Sequence, residues 1–482
     1  MLDHPRIFVA ANFIVMFLAC SVFGIVGSIA VSNAFMLFIV AYNWKKSSIN
    51  SVVMAILYSL LFDSQLYSFT SLNLRVWYAL LLLLYIGLIV KMVRGRRRAT
   101  FSFRLFAANL PVVLLFGLSI AWLILDNVDG KASIVKYWIF AVGLLYVLFY
   151  YFKKVERADF KKFLDYLFSL AVFTCFWGIF EVVMNLRGLG QKYMYDFGSV
   201  SPSGFFSETT WYAIFLLIGL VIMFLRYRLY GKQELVLFLP VFFAGILLSA
   251  NRNTFVAVAV LLVLNLIFVF VGGVVAYKDT FRNRYMLLSL LIGLVILAAG
   301  WSIISRYIGL VLLKFNLSSD ASSVGRVLAL QNSMREITQS PFIGNGFAWY
   351  PDQVTSTGTY TGAKSFNLVL MIEYIFGLLG AIPFCLMIVR FLIHRVMLYI
   401  KRRDILQKYS FLIIAVFISV SMFTPFHQQA TGMFTVALGA ALGSADARWG
   451  AFGIIARQTG KNARKRALAR FLSPSKASDT GI

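Results

Sequence analysis

Along nearly its whole length the chain alternates long apolar runs with short polar connectors. Runs of this length with few charges are the pattern of helices that cross a membrane, not of strands or of amphipathic helices around a soluble core. Spans are predicted over 7–24, 27–43, 49–66, 74–92, 105–125, 133–152, 163–184, 211–226, 234–250, 254–276, 285–305, 367–392, 408–424 and 430–445. This makes about 14 transmembrane helices, within a range of 12–14. The apolar stretch 7–43 is broken only at Gly24, Gly27 and Ser28, and Asp63 interrupts the third run.

The largest departure from this pattern is 306–366, the longest segment too polar for lipid, with Arg306, Lys314, Asp320, Arg326, Arg335, Glu336, Asp352 and Lys364. Within it Val327, Leu330, Met334 and Ile337 recur at helical spacing, which predicts a helix over 324–340. Pro341 stops that helix, since the residue before a proline avoids the α region, and a glycine-rich turn follows at Gly344 and Gly346. Arg326 and Arg335 are nine residues apart, about half a circle at roughly 100° per residue, so they flank the apolar stripe. A helix lying on the membrane surface with an arginine on each edge is expected.

The connectors fix the expected sidedness. With the N-terminus inside, the inner connectors hold Lys45 and Lys46, the run Arg94, Arg96, Arg97 and Arg98, Lys153 to Lys162, Arg226, Arg228 and Lys232, Lys278 to Arg284, and Arg395 to Arg403. Roughly three quarters of all Lys and Arg then lie on one side, as the positive-inside rule requires. Both termini are expected in the cytoplasm. The expected organisation is one integral membrane domain over 1–445, with long outer loops 185–210 and 306–366, followed by a basic cytoplasmic tail, 446–482.

Composition agrees. The 482 residues are 60% hydrophobic and 13% charged, about half the charged share of a soluble chain. A formal charge of +26 would point to nucleic acid in a soluble protein; here it is read as topology and lipid-headgroup contact, with no nucleic-acid partner. Cys20, Cys175 and Cys385 fall inside apolar runs with neither disulfide nor metal spacing, and the three histidines are scattered. No metal or cofactor is expected. There is no Asp-x-Asp metal motif and no Walker or Rossmann glycine pattern, which argues against soluble nucleotide-sugar chemistry. The first apolar run reads as a retained span, not a cleaved signal.

Arginines on the outer side gain nothing in topology and need another reason. Arg252, in the tight turn Ser249-Ala-Asn-Arg-Asn-Thr254, either snorkels to the interface or ligates a phosphate, whose oxygens its guanidinium matches in pairs. Glu208 stands at the mouth of the eighth span, where it either favours the helix dipole beside a Ser207 or Thr209 cap or serves as a general base at the membrane boundary. Arg326 and Arg335, with the aromatic turn Phe342 to Tyr350 behind them, lie on a solvated helix or on an anion site. Arg187, Arg306, Lys364 and His427, the last in the short outer turn Pro425-Phe-His-Gln-Gln429, are candidate substrate-binding residues.

Four ordered segments carry a family resemblance. They are Gly204-Phe-Phe-Ser-Glu208 opening a span; Ser249-Ala-Asn-Arg252 followed by a span; Gly325-Arg326 starting a helix that leads to Pro341-x-x-Gly344-x-Gly346; and Asn367 opening a span through Glu373, Tyr374, Gly377 and Gly380. In this order, over about 200–380, the chain resembles the superfamily of bacterial O-antigen polymerases and O-antigen ligases. Arg-x10-Gly occurs twice, Arg187 to Gly198 and Arg335 to Gly346, as in some of the polymerases. The family often has His-Asn where this chain has Phe366-Asn367, a histidine prominent in the ligases, and many members have proline where this chain has Thr209.

The resemblance implies an all-α fold like that of the polytopic, lipid-phosphosugar-dependent (GT-C-type) glycosyltransferases. It implies a metal-independent enzyme of the bacterial inner membrane that polymerises undecaprenyl-pyrophosphate-linked oligosaccharides at the periplasmic face. Glu208, Arg252, Arg326 and Arg335 are the implied catalytic set. A chain-length regulator and a flippase of the same pathway are the implied partners. Alternatives are a ligase of the same superfamily and a lipid-linked-oligosaccharide flippase or transporter. The missing histidine disfavours the ligase; the flippase is disfavoured by the absence of an evident internal repeat.

Overall fold

The computed structural model describes residues 5–44, 53–54, 56–58, 110–125, 157–190, 201–204, 206, 209–230, 233–272, 284–315, 321–346, 367–402, 404–422 and 430–443. The spans expected over 74–92 and 133–152, nearly all of that over 49–66, and the tail 446–482 lie outside the described residues. Among the described residues every regular element is helical. They are α1 (Pro5–Trp44), α2 (Leu110–Leu125), α3 (Arg157–Leu186), α4 (Thr209–Tyr230), a 3-10 turn (Gln233–Phe238) leading into α5 (Leu239–Leu248), α6 (Arg252–Gly272), α7 (Arg284–Ala299), α8 (Trp301–Phe315), α9 (Ala321–Ile337), α10 (Leu368–Arg402), α11 (Ile405–Ser421) and α12 (Ala430–Leu442).

Among the described residues, three helical stretches are long and apolar enough to cross a membrane: Ala158–Leu186, Thr209–Tyr230 and Leu368–Lys401. The stretch in α10 is 34 residues, roughly 50 Å at 1.5 Å per residue, longer than the hydrocarbon layer. It is broken at Gly377 (φ 61, ψ −166), so a short segment precedes a membrane-length one. Glycine also breaks α1, at Gly24 (φ 69), where the sequence shows its interruption. The expected span 285–305 differs from the structure. Its helix stops at Ala299, and after Gly300 the chain turns so that Leu288–Ile296 and Trp301–Gly309 lie 81° apart.

α4 is the hub. Every residue from Thr210 to Met223 is buried, which a helix apolar on all sides requires. α3, α5, α6 and α11 pack around it. Within lipid, helix association rests on close packing, so small residues mark the contacts. A Cβ at Gly219 of α4 would collide with Ala171 of α3. The Tyr212 ring lies so near Gly178 of α3 that a Cβ there would strike its hydroxyl, and a Cβ at Gly245 of α5 would stand 3.1 Å from the same oxygen. α12 packs on α11, where Ser410 donates to the Gly439 carbonyl at 2.6 Å.

Two contacts set the ends of the bundle. The Gly204 amide, just before α4, donates to Glu181 near the end of α3, and Arg226 near the end of α4 pairs with Asp165 near the start of α3. α3 and α4 are therefore antiparallel. Asn251, before α6, bonds to Thr210 at the start of α4, so α6 also starts at this end, the turn end. Asn265, far along α6, bonds to Lys408 at the start of α11. Phe268 of α6 meets Tyr399 late in α10 with centroids 5.1 Å apart. The first residues of α10 thus return to the turn end.

Candidate functional site

At the turn end α3 finishes in a glycine cap: the Leu189 amide donates to the Met184 carbonyl at 2.9 Å across Gly188, whose φ is +77. Arg187 sits exposed in this cap, where a cation also favours the helix dipole. The chain returns through Ser201–Gly204, a turn that is buried although it is a loop. Gly204 has φ +60, and its amide donates to Glu181 Oε2 at 2.9 Å. The Ser203 amide and the Trp177 indole N–H face the same carboxylate. A Cβ at Gly204 would stand 3.1 Å from the Tyr212 ring, so glycine is required by both conformation and space.

The second segment of the resemblance bonds to the start of α4, the helix that follows the first. Asn251 Nδ2 donates to Thr210 Oγ1 at 2.5 Å, while Asn251 Oδ1 accepts from the Thr254 amide at 3.2 Å and caps α6. Ser249 is buried and donates to the Ile246 carbonyl at 2.6 Å. Between them Ala250 adopts φ +45, a conformation that L residues seldom hold, and is fully buried against Val182, Leu248 and Tyr307. This over-determined turn presents Arg252, half-buried, as the first residue of α6. Tyr307 is buried here while its neighbour Arg306 is exposed, so α8 brings a second arginine to this region. Beneath the turn an apolar cavity of about 450 Å³ lies among α5, α6, α7 and α8, lined by Leu247, Phe255, Pro240, Gly293, Leu294 and Ile304.

The third and fourth segments form another pair. The Pro341–Gly346 turn docks against the break in α10 through main-chain bonds. Asn345 N–H donates to the Tyr374 carbonyl at 2.6 Å, Leu378 N–H to Pro341 at 2.8 Å, and Leu379 N–H to Phe342 at 3.1 Å. The turn thereby satisfies groups that the interruption at Gly377 takes out of the helix ladder. Gly344 (φ +80) and Gly377 face each other so closely that a Cβ on either would collide with the other strand's backbone. Side chains reinforce the joint. Tyr374 donates to Glu336 Oε2 at 2.9 Å, Asn345 Nδ2 to the Glu336 carbonyl at 3.0 Å, and the Trp122 indole of α2 to the Ile343 carbonyl at 3.2 Å.

α9 runs Ala321–Ile337, shorter than expected at its C-terminal end, and the chain has left the helix before Pro341. Its buried positions are Ala329, Ser333 and Ile337, whereas Val327, Leu330 and Met334 are exposed. Ile337 of the apolar stripe packs inward, and the rest of the stripe is open, as a helix lying on a membrane surface requires. Arg335 is exposed on this helix. Arg326 lies on α9, its side chain outside the described residues, and Glu208, Lys364 and His427 lie outside them altogether. Of the expected site residues, Arg252 starts the helix after the Ala250 turn, Arg306 adjoins Tyr307 in the cluster around that turn, Arg187 stands at the same end in the α3 cap, and Arg335 stands on the helix that joins the second pair.

Sequence reasoning missed Glu181, Tyr212, Asn251 as a cap, and the Glu336–Tyr374 joint. The available signal for Glu181 was a carboxylate inside an apolar run, which is costly unless it has a task. Arg226 and Arg395, expected in inner connectors as topology signals, are buried. Arg226 is 1% exposed, paired with Asp165 and stacked on Phe168 at 4.6 Å. Arg395 donates to Gln407 Oε1 at 2.7 Å and to the Gly443 carbonyl at 2.8 Å, and stacks on Phe391 at 4.5 Å. Gln407 in turn reaches Asp404, the cap of α11.

Among the described residues no group of three or more His, Cys, Asp or Glu is placed to hold a metal ion. The chain is all-helical among its described residues, with helices able to span a membrane and two docked pairs of loop segments at one end. Comparison with protein-family models, with curated proteins and with solved structures gives no match.

Proposed function

We propose that this chain is a polysaccharide polymerase of the bacterial inner membrane, with about 14 spans, both termini cytoplasmic and a GT-C-like architecture. It joins oligosaccharide repeat units carried on undecaprenyl pyrophosphate at the periplasmic face, with the turn end as that face. The observation that carries this reading is the pairing of the four segments. Gly204–Glu208 leads into the helix that bonds the Ser249–Arg252 turn, and Pro341–Gly346 docks on Tyr374–Gly377, all at one end.

In the proposed reaction the acceptor hydroxyl oxygen attacks the anomeric carbon of the donor glycan. The bond from that carbon to the phosphate oxygen breaks, and its electron pair leaves with the pyrophosphate. Glu208 takes the hydroxyl proton. Arg252, Arg326 and Arg335 stabilise the growing negative charge, which fixed cations at a low-dielectric boundary do effectively. Arg187, Arg306, Lys364 and His427 hold the substrates. The apolar cavity beneath Ala250 suits part of the lipid chain, since Phe255 on its wall is one turn from Arg252. A ligase would use the same groups with a different acceptor.

The test is complementation of a strain lacking this protein with Glu208→Gln, Arg252→Ala, Arg326→Ala and Arg335→Ala, with protein level checked in membranes. Surface polysaccharide reduced to single repeat units supports the reading. Polymer of normal length from every variant overturns it.

A further inference from the structure

We infer that Glu181 is the positioning residue of this site: its carboxylate, buried near the end of α3, holds the Ser201–Gly204 turn and through it the segment that enters α4. Glu181 is 0% exposed. A carboxylate so placed persists only where N–H donors surround it. The turn supplies the donor that reaches it, the Gly204 amide at 2.9 Å, and the Ser203 amide and the Trp177 indole, one helical turn back on α3, face the same carboxyl group. The helix itself gains nothing from an acid at this position, whereas the turn has no ladder to satisfy its amides.

The consequence runs along the chain. Four residues beyond Gly204 comes Glu208, and two further on Thr210 receives Asn251, the neighbour of Arg252. Val182, adjacent to Glu181, packs on Ala250 of the same arginine turn. One carboxylate thus sets both halves of the first segment pair from beneath, without touching substrate. The anchoring does not depend on the polymerase reading; only the identity of what is positioned does.

The experiment uses the full-length chain in membrane vesicles, with Cys20, Cys175 and Cys385 replaced and Ser203→Cys introduced. Ser203 is 1% exposed and its hydroxyl makes no hydrogen bond among the described residues, so the change is mild. A water-soluble maleimide reads whether the turn is closed. With Glu181→Ala the labelling rate rises roughly tenfold or more, the effect of leaving buried amides unsatisfied. Glu181→Gln keeps one acceptor oxygen for Gly204 and stays within roughly threefold of the parent. Polymer is lost with the first and retained with the second.

Unchanged labelling in folded Glu181→Ala, or equal labelling in both variants, overturns the inference. Opening of the turn with normal polymer leaves the anchor standing and removes the polymerase site from this turn. Should Glu181→Ala fail to reach the membrane, Glu181→Asp decides. It keeps the carboxyl group but shortens the reach by one methylene, so it must label faster than Glu181→Gln; the reverse order overturns the inference.

Discussion

The two ends of the helical bundle handle charge in opposite ways. At the far end three cations are buried and paired within the fold: Arg226 with Asp165, Arg395 with Gln407 and the Ala440 and Gly443 carbonyls, Lys408 with Asn265 at 2.6 Å, while Lys161, Lys162 and Lys401 stay exposed. At the turn end, a buried acid and neutral side chains hold the backbone in place, while Arg187, Arg306 and Arg335 remain exposed on the rigid frame. The far end uses some of its cations to hold helices together. The turn end uses carboxyl, amide and hydroxyl groups for that task and leaves Arg187, Arg306 and Arg335 exposed. Sites that bind anions need this division of labour, because an arginine already neutralised within the fold has little charge to offer a ligand.

The largest expected effect breaks the far end. Asp165→Ala or Arg226→Ala leaves a buried charge alone and costs about 3–5 kcal/mol, read as loss of the monodisperse peak after graded heating in detergent. The double change Asp165→Leu with Arg226→Met restores stability, because a well-packed apolar pair replaces the ions. Next is the turn end's main-chain joint. Gly344→Ala or Gly377→Ala combines a positive φ with a backbone collision and lowers stability by about 2–4 kcal/mol, whereas Gly117→Ala, with open space around its Cβ, is neutral in the same assay.

Smaller effects sharpen the contrast. Asn251→Ala removes both the cap of α6 and the bond to Thr210, and costs about 1–2 kcal/mol by the same heating assay; on the proposed function it also shortens polymer because Arg252 shifts. Tyr374→Phe loses one hydrogen bond to Glu336 and costs about 1 kcal/mol. The smallest effect on stability comes from Arg306→Ala and Arg335→Ala, within about 0.5 kcal/mol of the parent since both side chains are exposed, yet on the proposed function these two changes abolish or shorten polymer. If they instead destabilise the fold like Arg226→Ala, the contrast between the ends is wrong.

Much of the helical framework was legible because lipid imposes simple rules. Apolar runs gave α3, α4, α6 and α10 nearly in place, Gly24 announced the break in α1, and Pro341 marked the exit from α9. What stayed hidden depended on partners distant in sequence. A cation at the edge of a span reads the same whether it meets water or, like Arg226, a carboxylate on another helix. Periodicity found the apolar stripe on α9, but the residues that pack against the protein lie beside it. Val327, Leu330 and Met334 are exposed, while Ala329 and Ser333 take the contacts, as expected where close backbone approach drives packing. The four segments were recognisable singly; that they dock in two pairs required coordinates, because the bonds joining them are mostly main-chain and leave no side-chain signature.

The joint between Gly344 and Gly377 also constrains how this end can move and change. Each glycine leaves room for the other's main chain, so neither α10 can straighten nor the 341–346 turn slide by one residue without a collision that no rotamer relieves. The end of α9, the turn and the first residues of α10 must therefore travel as one lever, carrying Arg335 with them. A substitution at one glycine has no single compensating change at the other, so the two positions are bound to the same fate over mutational time.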